Sequence, residues 1–306
     1  MKAVLLHEYG GPENLRYEED VPEPACGDDA VLVEAWATSV NPIDWKVRSG
    51  ARQKDFPLQL PAILGRDVSG VVRTVGRDVR TFKPGDRVLA MTVATYAELV
   101  AVEESVLTHL PDGVDLVDAA ALPLIALTGD QLIRQAVKVQ RGQTILVTGA
   151  LGAVGRAAVH AARKLGANVI AGVRTKQLPE ARALQVSGTL AIDDDSAIAA
   201  FPFVDGIADT VGGATAGALL GRVKAGGNFG YVSVLPETAA SSHPGVNIAR
   251  VFAQPDPSKV REFADDIRDR KFELPIGRRM PLREAAEAHR LGQAGGAGKI
   301  ILVCRD

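Results

Sequence analysis

The sequence predicts an α/β protein in two parts, a β-rich first third and then a doubly wound parallel sheet. Three observations carry this. Residues 1–115 hold short apolar runs, Ala30–Trp36, Val68–Val75 and Arg87–Met91, bounded by Gly, Pro and Asp. The turn Lys83-Pro84-Gly85-Asp86 sits just before one of them. Such runs read as strands punctuated by tight turns, the pattern of a small barrel. From about residue 117 apolar β-branched runs alternate with segments of helical spacing, which is the signature of βαβ units on a parallel sheet. The third observation is a glycine-rich turn, Gly149–Gly155, set between a strand and a helix.

In order along the second part, the spacing predicts helices over Asp118–Leu122 and Leu127–Val137 and a strand over Thr144–Thr148. A helix over Ala153–Leu165 and a strand over Asn168–Val173 follow. Next come a helix over Pro179–Val186, strands over Leu190–Ile192 and Ile207–Asp209, a helix over Ala214–Val223 and a strand over Asn228–Val234. Pro236–Pro257, rich in Pro, Ser and Ala, reads as an irregular connection, and helical spacing resumes over Ser258–Arg270 and Leu282–Leu291. The last apolar run, Lys299–Cys304, has no neighbouring strand to pair with, so it is expected to return to the first domain. The expected boundaries are 1–120, completed by 272–306, for the β-rich domain and 121–271 for the parallel-sheet domain.

Composition narrows the class. The 306 residues are 46% hydrophobic and 24% charged, with a formal net charge of -2. That is an ordinary globular balance and gives no reason to expect nucleic acid or an anionic membrane as partner. Two cysteines, Cys26 and Cys304, lie near opposite ends, so a disulfide framework is not expected and a reducing cytoplasm fits. The start turns charged within a few residues, and no signal peptide or spanning helix is read from the chain. The five histidines, His7, His109, His160, His243 and His289, form no Cys/His cluster, and there is no GxSxG elbow.

The glycine turn carries the chemistry. Gly149, Ala150, Gly152, Ala153 and Val154 follow the strand, and Gly155 opens the helix interior. Without a Cβ at Gly152 the backbone can approach a pyrophosphate, and the helix N-terminus presents N–H groups to its negative charge. The common fingerprint has glycine where Ala150 stands. An NAD site places a carboxylate at the end of the next strand for the ribose 2′-hydroxyl. Here that strand ends in Val173-Arg174-Thr175-Lys176. Arg174 can fork to a 2′-phosphate and Lys176 adds a second cation, so the expected cofactor is NADPH. Val211, Val232 and Ser233 lie at the carboxyl ends of later strands, where ligands of such sheets bind.

Taken together the motifs resemble the zinc-free medium-chain dehydrogenase/reductases of the quinone oxidoreductase, or zeta-crystallin-like, family. The resemblance runs nearly the whole length. It rests on Asn41-Pro42-Ile43-Asp44-Trp45-Lys46, Leu64-Gly65-Arg66-Asp67-Val68-Ser69-Gly70 and Phe82-Lys83-Pro84-Gly85-Asp86-Arg87-Val88. Ala120–Thr128, the glycine turn and Gly298-Lys299-Ile300-Ile301-Leu302 complete it. It implies a GroES-like β domain followed by a Rossmann domain, and relatives of this kind are often dimers. Zinc-bearing relatives place Cys where this chain has Asn41 and His where it has Arg66, and a further ligand Cys near Leu124. They also carry a cysteine lobe where Met91 here runs almost directly into Tyr96-Ala97-Glu98. A catalytic zinc needs three protein ligands, so no metal is expected.

The activity implied is NADPH-dependent hydride transfer to a quinone or an α,β-unsaturated carbonyl. Two other readings stand beside it, a double-bond reductase specific for alkenals and a non-catalytic NADPH-binding sensor or structural protein. The resemblance places Asn41 near the reacting groups. Asp44 is equally a catalytic group or an anchor for its loop. Lys46, where quinone reductases of the family often have tyrosine, is equally an oxyanion-stabilising group or a surface lysine. Thr128 matches a position touching the nicotinamide or ribose, and Lys299 reads as a cofactor contact. Tyr96 is read as structural.

Overall fold

The computed structural model describes residues 1–274 and 276–305, and of Ala240 the backbone only. The chain divides into two compact units, Met1–Leu124 with Pro255–Asp306, and Ile125–Gln254.

The first unit opens with β1 (Ala3–Leu6) and β2 (Leu15–Glu18), which form a small antiparallel sheet with β4 (Ala62–Ile63). Its main sheet is built on β3 (Ala30–Val40), an eleven-residue strand buried along most of its length. From β3 the helix α1 (Pro42–Arg48) leads on, with Pro42 at its first position, where a missing N–H costs nothing. β3 pairs antiparallel with β5 (Asp67–Val75), which pairs with β6 (Arg87–Met91), while β7 (Leu99–Glu103) also pairs with β3 and β8 (Leu107–His109) with β6. Val31, Val33, Val68, Val72, Val88, Ala90, Val100 and Val102 fill the space between these strands. The β-branched side chains of the valines suit a pleated, buried surface.

The second unit begins within α2 (Pro123–Gln131), which passes directly into a π-helical stretch, Leu132–Val137, ended by Lys138 at φ 54°. The sequence reading treats Leu127–Val137 as one helix; the wider coil lies inside it. Then come β9 (Thr144–Thr148), α3 (Ala153–Lys164), β10 (Asn168–Val173), α4 (Leu178–Ala181), β11 (Gly188–Ala191), α5 (Asp195–Ala200), β12 (Val204–Asp209), α6 (Gly213–Leu220) and β13 (Val223–Tyr231). All strands pair in parallel, in the order β11-β10-β9-β12-β13 and then β14 (Asn247–Arg250). The order reverses direction between β9 and β12, the switch point of a doubly wound sheet.

Around β13 the boundaries differ from the sequence reading. Val223 opens β13 rather than closing α6, and β13 ends at Tyr231, so Val232 and Ser233 lie in the loop beyond the strand end. The connection over residues 236–257 contains α7 (Ala239–Ser242) as well as β14. β14 has a half-exposed pattern without alternation, which leaves no period to read in the sequence.

The chain then re-enters the first unit with α8 (Pro257–Arg268), β15 (Ile276–Pro281), α9 (Ala285–Ala294) and β16 (Lys299–Val303). β16 lies between β15, to which it is parallel, and β3, to which it is antiparallel with Ile300 opposite Val40. Among the described residues no helix is long and apolar enough to cross a membrane.

Candidate functional site

In the first unit, the junction of β3 and α1 gathers a buried polar cluster. Asn41 ends the strand, 2% exposed, and Asp44 lies on the first turn of the helix, 3% exposed. Asp44 Oδ2 accepts the backbone N–H of Asn41 at 2.8 Å, one half of a capping box. The Asn41 side chain also binds groups outside the helix. Its Nδ2 donates to Asp67 Oδ2 at 2.8 Å, and its Oδ1 accepts from Lys299 Nζ at 2.5 Å.

Asp67, at the start of β5, is fully buried and heavily bonded. It accepts from Ser39 Oγ at 2.5 Å and from the backbone N–H of Leu124 at 2.7 Å, and Lys299 Nζ lies 3.6 Å from its Oδ2. Lys299 Nζ also reaches the Val40 carbonyl at 3.4 Å. Burial lowers the Lys299 pKa, and the facing carboxylates of Asp67 and Asp44 oppose that. A buried pair of this kind persists because its remaining hydrogen bonds are satisfied.

Behind Asp44 stands a second row. Tyr96 Oη lies 3.2 Å from Asp44 Oδ2 and 3.0 Å from His289 Nε2, and His289 Nδ1 lies 3.2 Å from Arg48 Nη1. Burial pushes the Asp44 carboxyl up to about 7; the Asn41 N–H, Lys299 and Arg66 pull the other way, and Asp67 adds to the rise. Burial, with Arg48 beside it, holds His289 down to about 3. Arg66 stacks on Phe56, its Cζ 4.6 Å from the ring centre.

The structure thus brings Asn41, Asp44 and Lys299 together. Lys46 follows Asp44 by two positions, about 200° around the helix, and is half-buried. Sequence reasoning did not single out Asp67, Arg48 or His289 as members of the site. The signal for Arg48 is present in α1: Asp44, Val47 and Arg48 form the buried stripe, so this helix turns charged groups inward. A search for apolar periodicity passes over it.

In the second unit the glycine turn runs from β9 into α3. Gly149 has φ 61°, and a Cβ there would lie 2.5 Å from Thr210 Oγ1. At Gly155 a Cβ would lie 2.1 Å from the Gly149 carbonyl oxygen, whereas Gly152 is exposed and its Cβ would meet only that oxygen, at 3.1 Å. Gly152 is the N-cap residue of α3, and no side chain caps this helix. Asp194 and Asp256 cap α5 and α8. The open N–H groups after Gly152, with Ala150 buried beneath and Ala153 and Val154 half-buried, suit the pyrophosphate of a dinucleotide.

Arg174 and Lys176 stand exposed just after the end of β10. Arg174 Nε rests on Gln177 Oε1 at 3.2 Å. The carboxylate that acts on Arg174, Asp193, already accepts from the N–H and hydroxyl of Thr175 at 2.7 and 2.8 Å. Val211 is exposed after β12, Val232 and Ser233 are half-buried after β13, and Thr128 is half-buried on α2.

Residues 27–112 match the family described as the alcohol dehydrogenase GroES-like domain, and residues 189–302 the one described as zinc-binding dehydrogenase. Fold and site together define an oxidoreductase with an NAD(P)-binding fold. The chain belongs to the quinone oxidoreductase family of the medium-chain dehydrogenases/reductases. It is 35% identical to the quinone oxidoreductase of Homo sapiens over 179 residues, 58% of this chain and 54% of that protein. The matched stretch therefore spans about half the length of that relative. The quinone oxidoreductase of Pseudomonas syringae pv. Tomato is 30% identical, with a TM-score of 0.85 over 99% of both chains. A mycobacterial protein solved in complex with NADPH is 26% identical, with a TM-score of 0.84 over 99% of this chain and 100% of that one.

Proposed function

We propose that this protein is an NADPH-dependent, zinc-independent reductase of quinones or α,β-unsaturated carbonyls. The β-rich unit supplies the groups that act on the acceptor, and the parallel-sheet unit holds the dinucleotide. The observation that carries the reading is the edge of the parallel sheet where the uncapped α3 N-terminus follows β9 and Arg174, not a carboxylate, follows β10. NADPH, when bound, supplies the hydride. Gly149, Ala150, Gly152, Ala153 and Val154 would receive its pyrophosphate, and Arg174 with Lys176 its 2′-phosphate. Thr128, Val211, Val232 and Ser233 would line the remainder of the cofactor.

Zinc independence rests on donor chemistry. Arg66 is a cation, and the Asn41 carbonyl oxygen is already held by the Lys299 ammonium. Among the described residues no three His, Cys, Asp or Glu side chains are grouped to hold a metal ion. Without a Lewis acid the acceptor must itself be activated, as quinones and enones are: hydride addition places negative charge on an oxygen. Asn41, Asp44, Lys46 and Lys299 are the proposed donors and charges that orient the acceptor and meet that charge.

The cofactor assignment predicts that Arg174→Ala weakens NADPH binding about 10- to 100-fold, the worth of one or two charge-assisted hydrogen bonds, and NADH binding less than about threefold. Equal loss for both cofactors would refute the 2′-phosphate role. A panel of quinones, enones and alkenals followed by NADPH oxidation tests the reaction. Turnover of alkenals alone favours the narrower double-bond reductase, and tight NADPH binding with no turnover favours a sensor. Activity that needs stoichiometric zinc overturns the metal-free mechanism.

A further inference from the structure

The row of side chains behind Asp44 has a direction. Arg48 is 2% exposed; its Nε donates to the Gly10 carbonyl at 3.1 Å and its Nη2 to Gln293 Oε1 at 2.9 Å. A guanidinium has donors only, so His289 Nδ1, 3.2 Å from Nη1, must accept. The ring is then neutral with its one proton on Nε2, in keeping with a pKa held near 3 by burial and by Arg48. Nε2–H therefore donates to Tyr96 Oη at 3.0 Å, and the Tyr96 hydroxyl must spend its own proton on Asp44 Oδ2 at 3.2 Å. The Asn41 N–H fills the same oxygen. Asp44 Oδ2 thus accepts from two donors whether or not the carboxyl is ionised, and a proton on Asp44 sits on Oδ1. Among the described residues nothing donates to Oδ1.

We propose that Asp44 is the proton donor to the reduced acceptor, and that Arg48, His289 and Tyr96 are positioning residues that keep its proton on Oδ1. This rests on the reductase reading above. With NADPH bound, hydride addition to the enone or quinone would leave an enolate or phenolate, the cofactor being oxidised to NADP⁺. The Asp44 Oδ1–H bond breaks, its electron pair stays on the carboxylate, and the proton forms the new C–H or O–H bond. Water then restores the proton to Asp44.

The other members of the cluster are unsuited to the task. Lys299 faces three acceptors, Asn41 Oδ1, the Val40 carbonyl and Asp67. Tyr96 is fully buried and its single proton is directed at Asp44. The charged and titratable groups around Asp44 are Asp67, Lys299, Arg66 and Tyr96, with His289 and Arg48 behind. Their balance leaves the carboxyl at about 7, close to the best value for an acid working near neutral pH.

Tyr96→Phe keeps the ring and removes one donor from the ionised form of Asp44, so the Asp44 pKa must rise. With the wild type, kcat should be flat in acid and fall as pH rises through about 7. In Tyr96→Phe that fall should move up by about one pH unit. Asp44→Asn should lose about a hundredfold or more in kcat and lose the pH dependence. A merely structural Tyr96 would lower Tm and depress kcat equally at every pH. An unmoved fall in Tyr96→Phe, or an Asp44→Asn enzyme within threefold of wild type, overturns the proposal. Nitrogen-15 spectra of wild-type His289 test the direction of the row without any variant: a neutral Nε2–H ring below pH 5 is expected, and an Nδ1–H ring or titration at the ordinary histidine value refutes it. If the wild type reduces nothing in the panel, the reductase reading fails and takes the donor role with it. Carbon-13 titration of the Asp44 carboxyl in wild type and Tyr96→Phe then still decides the positioning row, which an unchanged midpoint refutes.

Discussion

Buried titrating side chains make opposing demands on this fold. The Asp44 carboxyl stands at about 7 in the folded protein, against about 4 in an unfolded chain. Between those values the folded state holds a proton the unfolded chain has released, so stability falls as pH rises, by about 4 kcal/mol in all. His289 acts the other way. Its folded pKa is near 3, so its contribution is complete above about 6.5 and is lost as pH falls toward 3. The two slopes cancel between about 4 and 6.5. Asp44→Asn removes one of them. The variant should resist urea better than wild type at pH 8, and the gain should vanish as pH approaches 4; an equal gain at every pH would refute the assignment. At this scale the sequence exposes Asn41 and Asp44 through a recognisable motif. It conceals His289, because Arg48 and Tyr96 meet it across 241 and 193 positions of chain.

Within a single element, the glycine turn separates folding from binding. A Cβ at Gly155 would strike the Gly149 carbonyl at 2.1 Å, so Gly155→Ala must open the β9–α3 junction and should lower Tm and weaken NADPH and NADH together. Gly152 has φ -72°, which alanine adopts freely, and a Cβ there would meet only the Gly149 carbonyl oxygen, at 3.1 Å. Gly152→Ala should leave Tm within about 2 °C of wild type, a change of about 0.5 kcal/mol or less, and still weaken both dinucleotides, because the methyl would stand in the proposed pyrophosphate site. Calorimetry with a binding titration checks both; a Gly152→Ala protein that binds normally would move the pyrophosphate elsewhere. The turn was legible because strand, glycine spacing and helix are all local. α1 was less so, since its inward stripe is Asp44, Val47 and Arg48, and β14 not at all, since an edge strand of four residues carries no period.

For the whole molecule, the last strand is the decisive placement. β16 brings Lys299 to Asn41, 258 positions away, and pairs its ammonium with the fully buried Asp67. Lys299→Ala would leave that carboxylate buried with Ser39, Asn41 and the Leu124 N–H but no counter-charge, and should cost about 3–5 kcal/mol in urea unfolding. The pair Lys299→Met and Asp67→Asn should recover most of it; a single-variant loss below about 1 kcal/mol would refute the buried pair. The two kinds of architecture, the glycine turn and the cation after β10 are legible in the sequence alone, because each is written in neighbouring residues and in the period of a single element. The meeting of Asn41 with Lys299 and Asp67, and of Tyr96 and His289 with Asp44, is a product of the tertiary structure. Those contacts join strands and helices from opposite ends of the chain, and burial, which no local pattern records, is what makes their charges matter.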